Sequence, residues 1–178
     1  PLGRYSEANL LNCRSYLAFA HAEFEHYLEA MSQRLLDKAL NRWRRHHTGG
    51  RILQALLIYR SGEVVIAESI REQAVDKTLD SIVSQSAAAQ KSCILGNHGI
   101  KKRNFAQLFT PVGVGRNDVS EILISSLHDF GKRRGELVHS GNRVSLGAVR
   151  DPFVEEDRDV KQILSELQTL DRFLTTMH

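Results

Sequence analysis

The residues of this chain best suited to do chemistry lie in Lys132-Arg133-Arg134-Gly135-Glu136-Leu137-Val138-His139-Ser140-Gly141, where three consecutive cations precede a histidine. A neutral imidazole can take a proton from a 2′-hydroxyl, and in its charged form can give one to a leaving oxygen, because its pKa lies near neutrality. A guanidinium stays charged and offers a planar fork of donors to phosphate oxygens, so it can hold a phosphate and offset the added charge of a transition state. Arg134 and His139 together therefore have the means to cleave RNA without a metal. Five residues at 100° each place the two side chains about 140° apart on a regular helix. They converge only if the helix ends or bends between them, for which Gly135 is suited, or if a second subunit completes the site.

This stretch resembles the R-x(4–6)-H motif of the HEPN (higher eukaryotes and prokaryotes nucleotide-binding) superfamily. It fits as Arg134-x4-His139 and equally, with one more intervening residue, from Arg133. Its setting is similar too, near the end of a helix in the C-terminal half of a helical chain, followed by the Ser140-Gly141 turn. The segment from Gly99-Ile100-Lys101-Lys102-Arg103-Asn104-Phe105 to Leu127-His128-Asp129-Phe130 resembles the RiboL-PSP branch, in which a short helix and a glycine-containing loop lead into the motif helix.

The resemblance implies an all-α, up-and-down bundle of about five helices. It implies a metal-independent endoribonuclease, without a cofactor, that leaves a 2′,3′-cyclic phosphate and a 5′-hydroxyl. Two copies would pair as a homodimer, and an antitoxin or other regulatory protein in toxin-antitoxin or antiphage defence would be a further partner. His139 would be the base or acid and Arg134 the phosphate ligand. Lys132 and Arg133 would guide the RNA backbone, with Ser140 and the basic run Lys101, Lys102 and Arg103 in support. An acidic residue of the first helix often points toward the motif in this superfamily, and Glu25 aligns with it. The position after the motif arginine is usually Asn or another polar residue, whereas here it is Gly135. That departure favours an alternative, a HEPN-like module that binds RNA or a nucleotide, or mediates dimerisation, without catalysis. A plain helical scaffold is the third reading.

The chain has 178 residues and a formal net charge of +3. That length suits one domain with a buried core, and the charge permits nucleic-acid binding without requiring it. Pro1-Leu2-Gly3 has the look of a cleaved tag, leaving residues 4–178 as a single domain. Cys13 and Cys93 sit in apolar helical patterns, so the expectation is a reducing cytoplasm and two buried thiols. With no apolar run of about 18 residues, no membrane partner is expected. No metal site is expected either, since His21 and His26 are five apart and H-E-x-x-H is absent.

The elements that must position the motif follow from periodicity. Leu10, Cys13, Leu17, Ala20, Phe24, Tyr27, Met31, Leu35, Ala39 and Trp43 predict one long helix over Ser6 to His47, stopped by Gly49-Gly50. His21 and Glu25 fall with Arg14, Glu23, His26 and Glu29 on its polar side, as a solvated face. The end of this helix, Arg42-Trp43-Arg44-Arg45-His46-His47, satisfies the helix dipole or offers a phosphate-binding edge with one aromatic. A short helix over 51–59, a long helix from Glu63 to Leu95 and a short basic helix over 100–109 follow. Asp118 and Glu121 have the spacing of a capping box for the motif helix. The final helix, Asp159 to Met177, carries Val160, Ile163, Leu167, Leu170, Leu174 and Met177 in three-four alternation, a seam for a neighbouring helix within the chain or across a dimer.

Overall fold

The computed structural model describes residues 5–64, 75–139 and 150–177, except for the side chains at 75, 76 and 137–139. Among these residues there is no strand, and six α-helices carry the chain: α1 Glu7–His46, α2 Arg51–Arg60, α3 Val75–Leu95, α4 Lys102–Phe109, α5 Glu121–His139 and α6 Asp157–Thr176. The chain is all-α. The helix expected from Glu63 does not begin there, since Ser61–Glu63 form a 3-10 turn and Val64 is extended; its stretch with Val65, Ile66, Ile70 and Ala74 lies outside the described residues, as does the expected loop over 140–149.

α1 runs for 40 residues because nothing in it opposes a helix and one side is apolar. Ser6 starts it, its hydroxyl accepting from the Asn9 N–H at 3.2 Å. Leu10, Cys13, Leu17, Phe24, Met31, Leu35 and Ala39 are buried, as the stripe predicts, whereas Ala20, Tyr27 and Trp43 are partly exposed and Leu28, outside the stripe, is fully buried. The stop differs from expectation. His47, not Gly49, takes the left-handed conformation (φ 47°) and donates its N–H to the Trp43 carbonyl at 2.7 Å. Its ring meets the Trp43 ring edge to face at 5.4 Å, a contact that a glycine could not make.

Contacts group the residues into two compact units, one comprising Pro1–Tyr27, His98–Phe105 and Val119–Phe173, the other Leu28–Asn97, Ala106–Asp118 and Leu174–His178. In the second unit, α2 buries Ile52, Leu53 and Leu56. Gln90 of α3, fully buried, donates to the Gln107 and Leu108 carbonyls and accepts from Arg60. Gly113 adopts φ 85° with only 3.3 Å from its would-be Cβ to Ala55, so a side chain there meets both a strained backbone and α2.

One expectation about helix ends is corrected, and the two alternatives for the seam are narrowed to one. Asp118 does not cap the motif helix, because its carboxylate is taken by Arg51 and by the Gly115 N–H at 2.8 Å. Ser120 serves instead, accepting from the Ile122 N–H at 3.2 Å. The seam of α6 is consumed inside the chain, with Val160, Ile163, Leu167, Leu170, Leu174 and Met177 all buried. A second copy would need another surface. Asp151 accepts from the Phe153 and Val154 N–H groups and so begins the π-turn Pro152–Glu156 that leads into α6.

Candidate functional site

In the first unit, three elements meet around His21: α1 with His21 and Glu25, the turn Gly99–Lys101, and α5 from Phe130 to Arg134. His21 is not on a solvated face. It is 5% exposed and stacked on Phe130, centroids 6.5 Å apart and planes 14° apart, while Phe24 packs edge-on to the same ring at 5.6 Å. The signal was present in sequence, because His21 lies four residues after Leu17 and three before Phe24, on the buried stripe.

Gly131 makes the close approach possible. A Cβ there would come within 3.2 Å of Ile100 Cγ1 and of Lys101 Cγ, so only glycine lets this turn lie against α5. Glu25 fixes the turn from the other side by accepting the Gly99 N–H, where Gly99 holds φ 130°. Its second oxygen lies 3.6 Å from His21 Nδ1, beyond a direct hydrogen bond. Glu25 is thus turned toward the turn and His21, not out to solvent.

Burial, then the charges of Arg134 and Lys101, push the His21 pKa down to about 4. At neutral pH His21 is therefore neutral, and its contact with Glu25 is not an ion pair. The sign of the pH effect follows. Between about 4 and the ordinary 6.5 the unfolded chain binds the proton and the folded chain does not, so stability rises with pH. Denaturant midpoints are expected to fall on acidification through that window, by on the order of 2 kcal/mol, and His21→Phe is expected to flatten the dependence. Proton NMR titration of His21 should give a midpoint near 4, raised by Arg134→Ala and by Lys101→Ala; a midpoint that neither variant moves would remove both cations from its surroundings.

The two motif arginines have different surroundings. Arg133 is half-buried, 3.0 Å from Asp159 and 3.7 Å from Glu156, with its guanidinium 5.6 Å over the Phe130 ring. Arg150 completes this network, bonding Glu156 at 3.2 and 3.1 Å and Asp159 at 2.6 Å. Its hydrogen bonds to Glu156 hold the Arg150 pKa above the ordinary guanidinium range. Burial raises the Asp159 carboxyl pKa, but the Arg150 hydrogen bond and the nearby arginines outweigh it and leave the carboxyl below its ordinary range. Sequence reasoning missed Glu156, although it lies four residues before Val160 and seven before Ile163, in register with the buried seam.

Arg134, by contrast, is exposed and makes no hydrogen bond or ion pair among the described residues. Lys132, Lys101, Lys102 and Arg103 are exposed as well. Lys102 and Arg103 occupy the first turn of α4, where the positive end of the helix dipole disfavours cations. A bound anion would relieve that cost.

α5 continues through Gly135 to His139, so the helix does not end between Arg134 and His139. On one regular helix positions 134 and 139 are turned about 140° from each other around the axis. The side chain of His139, and all of Ser140, lie outside the described residues. Cys13 is buried, its thiol pushed up to about 11 by burial and then by Glu156 and Asp151. Cys93 is only half-buried, which corrects the expectation for it, and donates weakly to the Gln107 carbonyl. Among the described residues no three His, Cys, Asp or Glu side chains are grouped to hold a metal ion, and no helix is long and apolar enough to cross a membrane.

Fold and site together define a class: an all-α chain in which an exposed arginine, without an ion-pair partner among the described residues, and a lysine lie near a buried neutral histidine. Compared with protein-family models, curated proteins and solved structures, the chain matches none.

Proposed function

We propose that this chain is a HEPN-like ribonuclease of about five core helices, acting on RNA without a metal and working as a homodimer in the cytoplasm. The observation that carries the reading is the division of labour between the arginines. Arg133 is held by Asp159 and Glu156, while Arg134 is exposed and without a protein partner among the described residues, its charge felt with that of Lys101 at His21. An arginine so placed can take a phosphate in a bidentate fork.

In this mechanism Arg134 binds the non-bridging oxygens of the scissile phosphate. His139 accepts the 2′-hydroxyl proton, the 2′-oxygen forms the new bond to phosphorus, and the 5′-oxygen leaves with a proton from the imidazolium of a second His139. The products are a 2′,3′-cyclic phosphate and a 5′-hydroxyl. Because α5 is unbroken, the arginine of one copy is matched to the histidine of the other, which makes pairing a requirement of the chemistry. Lys101, Lys102, Arg103 and Lys132 contact backbone phosphates. A toxin-antitoxin or antiphage setting, with an antitoxin or other regulatory partner, belongs to the same proposal.

The unbroken α5 also favours a second reading, a HEPN-like module that binds RNA through the same cations without cutting it. Incubation of the protein with single-stranded RNA in excess EDTA separates the two. The expected result is fragments with cyclic-phosphate and 5′-hydroxyl ends, from a protein that runs as a dimer. Intact RNA that is nevertheless retained at low salt would replace the ribonuclease with the binding module.

A further inference from the structure

The second unit carries a groove that the proposed ribonuclease does not use. It lies between the end of α1 and the middle of α3, encloses about 480 Å³, and is lined by Trp43, Arg44 and His47 on one wall and by Val83, Ala87 and Lys91 on the other. That volume is within the range that holds a small ligand. We infer that this groove is a subsite for single-stranded nucleic acid, taking one base against Trp43 and the flanking phosphates on Arg44 and Lys91.

The wall is built for a flat heterocycle. The Trp43 indole is held by its Nε1–H donating to Asp80 at 2.7 Å, and His47 braces it edge-on. Val83 and Ala87 of α3, apolar and buried, form the groove's floor, so a planar ring would enter from the open side. Stacking on an aromatic accepts any base, and the polymer's charge is then met by cations along its path.

The cations exceed what the helix end needs. A helix C-terminus carries roughly half a negative charge, which one cation offsets. Arg44 and Arg45 occupy the last turn of α1, Arg42 precedes them and Lys91 stands across the groove. Among the described residues, Asp37, 3.9 Å from Lys91, and Asp80, engaged with the indole, are the carboxylates in contact with groove side chains. A second hollow, lined by Lys38, Arg42, Arg45 and His46, lies on the other face of the same helix end and is separate from the groove. Arg44 and Lys91, one on each wall, fit the two phosphates that flank one base of a strand better than a single nucleotide.

Trp43 is the chain's one tryptophan, so its emission reports on this groove alone. The test is titration of the full chain, in the Arg134→Ala background so that RNA stays whole, with fluorescein-labelled single-stranded RNA followed by anisotropy and, unlabelled, by tryptophan emission. Saturable quenching with the same midpoint as the anisotropy change is expected. Arg44→Glu and Lys91→Glu, both at accessible side chains, should each weaken binding and each lower the slope of log affinity against log salt by about one. Trp43→Ala should cost roughly 5- to 150-fold in affinity, while Trp43→Phe keeps most of it.

AMP is the second arm. If it quenches as tightly as the oligonucleotide, the subsite stands and its natural source is a free nucleotide; if it is far weaker, the source is a strand. RNA binding that leaves Trp43 emission unchanged, or affinity indifferent to Arg44→Glu and Lys91→Glu, would overturn the inference. So would a polyglutamate peptide that quenches Trp43 and displaces RNA at equal charge, since the groove would then be a seat for acidic protein. Because the readout is binding in the second unit, its failure leaves the EDTA cleavage test untouched, and the reverse holds too.

Discussion

Arg134→Ala is expected to lower EDTA-resistant RNA cleavage by about 10²- to 10³-fold, the loss found when one preorganised donor to a developing charge is removed. The fold should not notice. Arg134 is exposed and makes no hydrogen bond or ion pair among the described residues, so its removal should change stability by no more than about 0.5 kcal/mol and Tm by no more than about 2 °C. Arg134→Lys keeps the charge but loses the planar fork, and should recover only part of the rate. Arg133→Ala is the informative contrast. Its guanidinium serves Asp159 and Glu156, so the expected loss is in stability first. A rate that falls with Arg133→Ala at unchanged Tm, and not with Arg134→Ala, would exchange the roles of the two arginines. Single-turnover cleavage rates beside thermal melts of the same preparations decide the matter.

Glu156→Ala should produce the largest stability loss among the polar substitutions considered. Glu156 is 1% exposed and receives two guanidinium bonds from Arg150, with Arg133 at 3.7 Å. Removing one partner of a buried ion pair leaves the others uncompensated, which costs about 3–5 kcal/mol. Arg150 keeps about a third of its side chain exposed and retains Asp159, so about 3 kcal/mol is expected. For a chain of this size that corresponds to a Tm drop of about 6–12 °C. Glu156→Gln keeps the shape and one acceptor and should cost less. The network also sets an acid limit. The Asp159 carboxyl is held below its ordinary value of 3.8 against the opposing effect of burial, so its contribution is complete above about pH 4 and disappears on further acidification. That window lies below the one assigned to His21, which makes the two separable in a pH series of urea midpoints. If the Glu156→Ala melt coincides with wild type, the network is solvated and contributes nothing.

Much of the architecture was legible in the chain. The stripe in α1, the short α2, the stop of α3 before Gly96 and the seam of α6 all follow from the spacing of apolar residues, since a helix must bury one face. The helix ends were less legible. Asp118 carries the cap signature, yet Arg51, far away in sequence, and the Gly115 N–H take its carboxylate. The glycine pair at 49–50 is the stronger stop by type, yet His47 closes α1 because its ring has Trp43 to rest on.

At the candidate site, sequence alone supplied the residue types: an Arg-x4-His spacing, a basic run at 101–103, a carboxylate at position 25, and a chain that is all-α. It could not say which of Arg133 and Arg134 is available, whether α5 ends at Gly135, or that His21 is buried and neutral. Those were decided by tertiary structure. Asp159 and Glu156, brought to α5 from the start of α6, engage Arg133 and leave Arg134 exposed. Gly131 admits the turn that sets Lys101 near His21. The physical reason is one of range: helix periodicity is written within a few residues, whereas the partner of a charge and the solvent around an imidazole depend on residues distant in the chain.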